Sequence, residues 1–177
     1  MIVVALIGMP GSGKGEASEV FRKNGYTAYY MNSVFKKELK RRGLEYNVEN
    51  VGMAANELRQ LEGMGAVAKR LAPEIKAERS CIEGVRSLYE IEEFRKFFPD
   101  IVVVSIDSPP ELRFKRAKAR GRTDDIKSYE EFLKKDAREA AWGVRQGIEN
   151  ADYKVLNDGT IGDFRRKVLD VLKGLEE

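Results

Sequence analysis

A chain of 177 residues, 42% apolar and 34% charged, is long enough for one sizeable hydrophobic core and reads as a soluble globular domain. One cysteine and no histidine exclude an intramolecular disulfide and histidine-based nucleophilic catalysis, and leave almost no room for a zinc site of the Cys/His kind. The remaining inventory of Lys, Arg, Asp, Glu, Ser and backbone groups suits phosphate chemistry, and a net charge of +3 fits an anionic ligand without requiring nucleic acid.

The first apolar run, Met1 to Ile7, is too short to span a bilayer and has neither a basic leader nor a small-residue cleavage site, so a cytoplasmic location is expected. Val3 to Ile7 is continuously apolar and rich in β-branched residues, the pattern of a strand buried on both faces of a parallel sheet. A glycine loop follows. Next comes a helix with Ala17, Val20 and Phe21 on one face, ending near Asn24-Gly25, and then a strand from Thr27 to Met31. Helical spacing marks Val34 to Arg42, then Val51, Ala54, Ala55, Leu58 and Leu61, then Met64, Val67, Ala68, Leu71 and Ile75. "RSCIEG" predicts a short strand ending at Glu83, and Leu88, Ile91 and Phe94 predict a helix. Ile101 to Ile106 is the clearest later strand, and Pro109-Pro110 start a helix running to about Arg120. After the turn-like "GRTDD", the residues Leu133, Ala137, Ala140, Ala141, Val144 and Ile148 predict one long helix with that apolar face. "DYKVL" reads as the last strand, and Ile161, Phe164, Val168, Val171, Leu172 and Leu175 as a final amphipathic helix.

Alternating strands and helices predict an α/β fold: a five-stranded parallel sheet, Val3–Ile7 central, between two helical layers. Ligands in such sheets sit at the carboxyl ends of the strands, where Gly8, Glu83 and Asp107 are all expected.

"GMPGSGKG" has the spacing of a phosphate-binding loop, with a strand before it and a helix after it. Gly8, Gly11 and Gly13 permit backbone angles closed to other residues, so that successive N–H groups can point inward at an anion. The helix start adds its positive end, and Lys14 adds a full charge within reach of the β- and γ-phosphates. Its ammonium is expected to face solvent in the empty loop. Gly15 stands where a magnesium-touching hydroxyl is usual, so waters must bridge that gap. A carboxylate at Glu16 would repel a triphosphate unless it points outward.

Beyond the loop, Glu83 is placed to hold a magnesium-bound water, and Arg86 to grip an acceptor phosphate with its two-pronged guanidinium. Arg113, Arg116 and Arg120 share one helix face. With Arg122 in the turn and Arg138 on the next helix they predict a cationic flap that neutralises the transferring oxygens and excludes water. Asp124 and Asp125 are positioned to pin that flap through arginine pairs.

These segments resemble known families. "GMPGSGKG" is similar to the loop of adenylate kinases and related nucleoside monophosphate kinases, in which glycine commonly follows the lysine and threonine usually stands where this chain has Glu16. "IEGVRS" resembles their Asp-Gly-(hydrophobic)-Pro-Arg segment, with Glu83 for aspartate and no proline. "LRFKRAKARGRTDD" resembles their short lid. "NSVFKKELKRRG" resembles their acceptor-binding start, with Lys36 in place of an arginine and Ser33 in place of an aspartate. "ADYKVLNDGT" resembles the last strand and adenine-side loop of dephospho-CoA kinases and adenylate kinases. Over nearly its whole length, through "KRRGLE", "ENVG", "GAVAKR", "GVRS" and "RGR" followed by "DD", the chain resembles an archaeal P-loop kinase-like family similar to dephospho-CoA kinase.

The resemblance implies a P-loop NTPase three-layer α/β/α sandwich with a short helical lid, in one domain over 1–177. It places an acceptor-binding helical insert at about 32–78 and a lid at about 113–138. ATP and Mg²⁺ are the implied cofactors. The nucleotide site would comprise Gly8, Met9, Pro10, Gly11, Ser12, Gly13, Lys14, Gly15 and Glu16, with Asn157, Asp158 and Gly159 at the adenine. Ser33, Lys36 and Arg86 would hold the acceptor, Glu83 the metal through water, and Lys14, Arg116, Arg120, Arg122 and Arg138 would act in catalysis. The implied activity is transfer of the ATP γ-phosphoryl group to a nucleotide-like small molecule by a monomer or homodimer. The alternative is an ATP-binding switch, or pseudokinase, suggested by Gly15, Glu16, Glu83 and Lys36. RNA binding ranks last, for no module with stacking aromatics is visible.

Overall fold

In a computed structural model, strand β1 (Ile2–Ile7) occupies the middle of a five-stranded, wholly parallel sheet of order β2-β3-β1-β4-β5. Residues 1–120 and 128–176 are described, except the side chains of Arg120, Lys135 and Arg138. The other strands are β2 (Thr27–Tyr30), β3 (Arg79–Val85), β4 (Val102–Asp107) and β5 (Tyr153–Leu156). The described helices are α1 (Lys14–Lys23), α2 (Asn32–Arg41), α3 (Val48–Glu62), α4 (Ala66–Leu71), α5 (Leu88–Phe97), α6 (Pro110–Arg120), α7 (Tyr129–Ala141), α8 (Val144–Glu149) and α9 (Ile161–Gly174). A 3₁₀ turn, Ala72–Glu74, extends α4.

The alternation of side chains along β1 explains its unbroken apolar run. Val3, Ala5 and Ile7 enter a core with Val67, Leu71, Ile91, Phe94 and Val144, under α4, α5 and α8. Val4 and Leu6 enter a second core with Ala17, Phe21, Phe164, Val168 and Leu172, under α1 and α9. Both faces are covered from Val3 to Ile7, so a polar residue there would be buried without water. Among the described residues no helix is long and apolar enough to cross a membrane.

Two elements differ from the sequence reading. Strand β3 does not stop at Glu83 but runs to Val85. Leu6 pairs with Glu83 while Ile7 pairs with Val85, so Gly84 is the extra residue of a bulge, at φ 96°. That left-handed backbone suits glycine, and the bulge lets pairing continue while Glu83 is re-aimed at the strand end.

The long helix expected through Leu133 and Ile148 is instead two helices, α7 and α8, broken at Gly143 with φ 90°. Its first half also turns a different face inward. Leu133, Ala137 and Ala141 are exposed, whereas Phe132, Asp136 and Glu139 are buried. Charge compensation of Asp136 by Arg113 and of Glu139 by Arg86 outweighs the apolar spacing. Residues Arg122, Asp124 and Asp125 of the expected flap lie outside the described residues, as do the side chains of Arg120 and Arg138.

Candidate active site

The glycine loop joins β1 to α1 at the carboxyl edge of the sheet. Gly13 caps α1 at φ 110° and offers no side-chain cap, and Ala17 N–H is the donor that closes back on Gly13 O at 3.0 Å. The N–H groups ahead of it form the helix start that binds anions in such loops. The cradle has no room for side chains: a β carbon at Gly8 would lie 2.2 Å from Ile106 O, and one at Gly13 would lie 2.4 Å from Asn157 Nδ2. Asn157, buried after β5, donates Nδ2–H to Ser12 O at 2.8 Å and so ties the last loop to the first. Ser12 Oγ is fully buried with no hydrogen-bond partner among the described residues, an orphan hydroxyl inside the cradle that suits an incoming anion.

Lys14 is not solvent-facing, which corrects the expectation. Its ammonium folds back to donate to Gly8 O at 2.7 Å and Met9 O at 3.0 Å and is half-buried. Burial, then the cation at Arg86, lower its pKa to about 8, against a smaller opposing pull from Glu83 and Glu139. Glu83, Arg86, Glu139 and Arg113 therefore all lie within electrostatic reach of the loop lysine.

Glu83 faces the first turn of α1. A β carbon at Gly15 would sit 3.7 Å from Glu83 Oε1, so the missing hydroxyl and the carboxylate belong to one small space. No group of three or more metal-ligating residues occurs among the described residues. The arrangement fits magnesium, which keeps several waters and takes its direct ligands from phosphates and one or two carboxylates. Glu16 points outward: its Oε1 accepts from Arg165 Nε of α9 at 2.6 Å, which removes the expected repulsion.

The arginines divide by task. Arg86, just after β3, donates Nη1–H to both Glu139 oxygens, at 2.6 and 2.7 Å, and its backbone N–H to Glu90 Oε2 at 2.7 Å. Arg113 is not a free flap residue. It is buried, bonds Asp136 through two nitrogens at 2.6 and 2.5 Å, and donates to Ser108 O and Pro10 O. It thereby fastens α6, α7 and the glycine loop together. Arg116 points at the β5–α9 loop, donating to Ser108 Oγ at 2.8 Å and to Asn157 O and Oδ1, each at 3.1 Å. All of these partners lie on the Asn157 side of the glycine loop. Asp158 accepts from Lys167 at 3.2 Å and Gly159 follows it in the turn before α9.

On the expected acceptor side, Ser33 is half-buried in the first turn of α2, whereas Lys36 is exposed and lies 5.6 Å from the Tyr46 ring centroid. The "KRRG" arginines serve structure. Glu38 is buried and accepts from Arg41, Arg42 and Arg70; the bonds from Arg41 and Arg42 hold its carboxyl at about 2, and Arg42 and Arg70 go on to Glu57 and Glu62. This network joins α2, α3 and α4. The sequence reading missed Asp136 and Glu139, whose spacing of three on one helix was the available signal.

Residues 7–132 match the family described as AAA domain. The UPF0200 protein of Methanosarcina mazei is 41% identical over 100% of this chain and 97% of its own length. The chain belongs to the UPF0200 family. The UPF0200/UPF0201 protein of Archaeoglobus fulgidus is 42% identical over 97% of this chain, which spans only 55% of that relative's length. Among solved structures, TT1252 from Thermus thermophilus superposes with a TM-score of 0.68 at 21% identity, covering 98% of this chain and 97% of that one. The shikimate kinase of Acinetobacter baumannii, solved with shikimate, gives 0.58 at 16% identity over 98% and 94%. The UPF0200 chain therefore has the P-loop kinase-like α/β fold.

Proposed function

We propose that this protein is an ATP-dependent phosphotransferase that moves the γ-phosphoryl group to a nucleotide or nucleotide-like small molecule, of the nucleoside monophosphate or dephospho-CoA type. The observation that carries the reading is the convergence of Lys14, Glu83 and Arg86 at the carboxyl ends of β1 and β3, around a glycine cradle too tight for side chains at Gly8, Gly11 and Gly13. In this reading the loop N–H groups and Lys14 hold the β- and γ-phosphates, and Asn157 and Gly159 line the base. Glu83 would hold magnesium through water, and the ion would supply charge neutralisation between the phosphates. In the transfer, the bond between the γ-phosphorus and the bridging oxygen breaks, a bond to the acceptor oxygen forms, and ADP leaves with the electron pair. Arg120, Arg122 and Arg138 remain the proposed lid cations.

A second reading, a nucleotide switch, is favoured by one observation. In this state Lys14 is held by loop carbonyls and Arg86 by Glu139, so both cations are withheld from ligands. One assay separates the readings: ATP-Mg²⁺ is offered with nucleoside monophosphates and with dephospho-CoA, and ADP release is measured. Acceptor-dependent ADP release is expected. ATP binding with no stimulation by any acceptor would replace the kinase with the switch.

A further inference from the structure

One cation near the site is not engaged by any carboxylate among the described residues. Among the described residues, Arg59 of α3 is the one half-buried arginine whose guanidinium makes no hydrogen bond or ion pair. Its guanidinium carbon lies 5.3 Å from the centroid of the Trp142 ring. Attraction of a cation to a ring face does not use up its N–H donors, which stay available to an anion.

Trp142 links Arg59 to the site already described. It closes α7 three residues after Glu139, whose carboxylate holds Arg86. The next residue, Gly143, packs toward Ser87: a β carbon there would lie 3.9 Å from Ser87 Cβ, and Ser87 adjoins Arg86. Arg59, Trp142, Glu139 and Arg86 thus form one cluster drawn from α3, the end of α7 and the turn after β3. Glu90 supports the placement. It is buried, which pushes its carboxyl up, while the Arg86 N–H and the charges of Arg59 and Arg86 pull it down, so both guanidiniums act on one carboxyl.

We infer that Arg59 and Arg86 are the paired grips of the acceptor site, with Trp142 as the wall that orients Arg59, and that the acceptor presents a phosphomonoester. The inference rests on the phosphotransferase reading and sharpens it by moving the acceptor grip from Lys36 to α3. A carboxylate already satisfies Arg86 alone, since Glu139 does so. Two separate forks match the several oxygens of a dianion. Such an acceptor also needs no general base: a phosphate oxygen near neutral pH carries no proton that must be removed.

Trp142 is the chain's single tryptophan, so its fluorescence reports on this cluster directly. Adenosine 5′-monophosphate, three other nucleoside monophosphates, gluconate and shikimate are titrated against the protein without ATP. A saturable change in Trp142 emission is expected with a nucleoside monophosphate and not with the carboxylic acids. Arg59→Ala is expected to weaken that response by about tenfold or more, and Arg59→Lys to restore it only in part. Melting temperature and ATP affinity should stay unchanged in both variants. A response to carboxylic acids alone, no response to any phosphomonoester, or equal affinity in Arg59→Ala would overturn the site. Transfer to some acceptor by Arg59→Ala at wild-type KM would also sink the site while leaving the kinase reading intact. Monophosphate binding that depends on Arg59 without any ADP release would do the reverse.

Discussion

Arg86 and Glu139 face each other across the site, one guanidinium nitrogen lying 2.6 and 2.7 Å from the two carboxylate oxygens. Arg86 is 46% exposed and Glu139 only 7%, so the acid is the fixed partner and the base the adaptable one. If Arg86 grips the acceptor as proposed, the acceptor phosphate would displace a carboxylate already in place.

Glu139→Gln keeps the shape and removes that competition. Acceptor binding should tighten, by up to about tenfold if the lost contact matters by ~1.4 kcal/mol. The same change removes a charge that raises the Lys14 pKa, so the alkaline limb of ATP binding should move to lower pH. KM for the acceptor and a pH series of ATP affinity check both. A weaker acceptor KM would make Glu139 a positioning group rather than a competitor.

The Lys14 ammonium titrates near 8, below its ordinary 10.5. ATP affinity of the free protein should fall as pH rises through about 8, because the neutral amine loses its hold on the phosphates. Phosphate stabilises the charged form, so binding at pH 8–9 should take up protons, readable by calorimetry in buffers of different ionisation enthalpy. For folding the sign is opposite to that of a paired lysine. Between about 8 and 10.5 the unfolded chain binds more protons than the native one, so this group's contribution to stability rises with pH there and is least favourable below about 8. Lys14→Ala should consequently fold as well as the wild type at pH 7 while losing ATP affinity and transfer. Marked destabilisation would mean that the bonds to Gly8 O and Met9 O outweigh the cost of burying the charge.

What was legible in the sequence follows from which forces act locally. β1, the loop and α1 are encoded by a run of buried residues and by glycine spacing, both properties of neighbours in the chain. Asp136 and Glu139 were not legible, because Leu133, Ala137 and Ala141 offer a more apolar face of the same helix. The choice between faces is decided by Arg113 and Arg86, 23 and 53 residues away in the chain. The Gly84 bulge was hidden for a like reason, since it exists only through the register of β3 against β1. Arg113, read with Arg116 as one cationic face, is separated from it by partners on other elements.

Gly15 and Glu83 share one space, and that gives a paired test of the metal's place. Among the described residues, a β carbon at Gly15 would meet only Glu83 Oε1, at an ordinary contact distance of 3.7 Å, and the residue is helical. Gly15→Ser should fold normally and lower the magnesium needed for half-maximal activity by supplying a direct oxygen ligand. Glu83→Gln should raise that requirement. If both variants keep the wild-type magnesium dependence, the metal lies elsewhere.

The partners of Arg116 and Arg113 predict different failures for neighbouring arginines on one helix. Arg116 holds Asn157, which holds Ser12 of the loop, so Arg116→Ala should raise KM for ATP more than it lowers kcat. If Arg120 and Arg122 are the proposed lid cations, Arg120→Ala and Arg122→Ala should instead cut the acceptor-dependent rate by about tenfold or more with little change in ATP affinity. Asp136→Ala should do neither first. It strips a buried guanidinium of its partner and should destabilise the fold by about 3–5 kcal/mol, read from denaturant midpoints. The exposed pair Lys134–Glu130 on the same helix makes the control, because neither side chain is withdrawn from water and its loss should leave the midpoint unchanged. If Asp136→Ala instead kept wild-type stability and lost turnover, Arg113 would belong with the lid cations after all, and its bond to Pro10 O would be a feature of the open site rather than of the folded core.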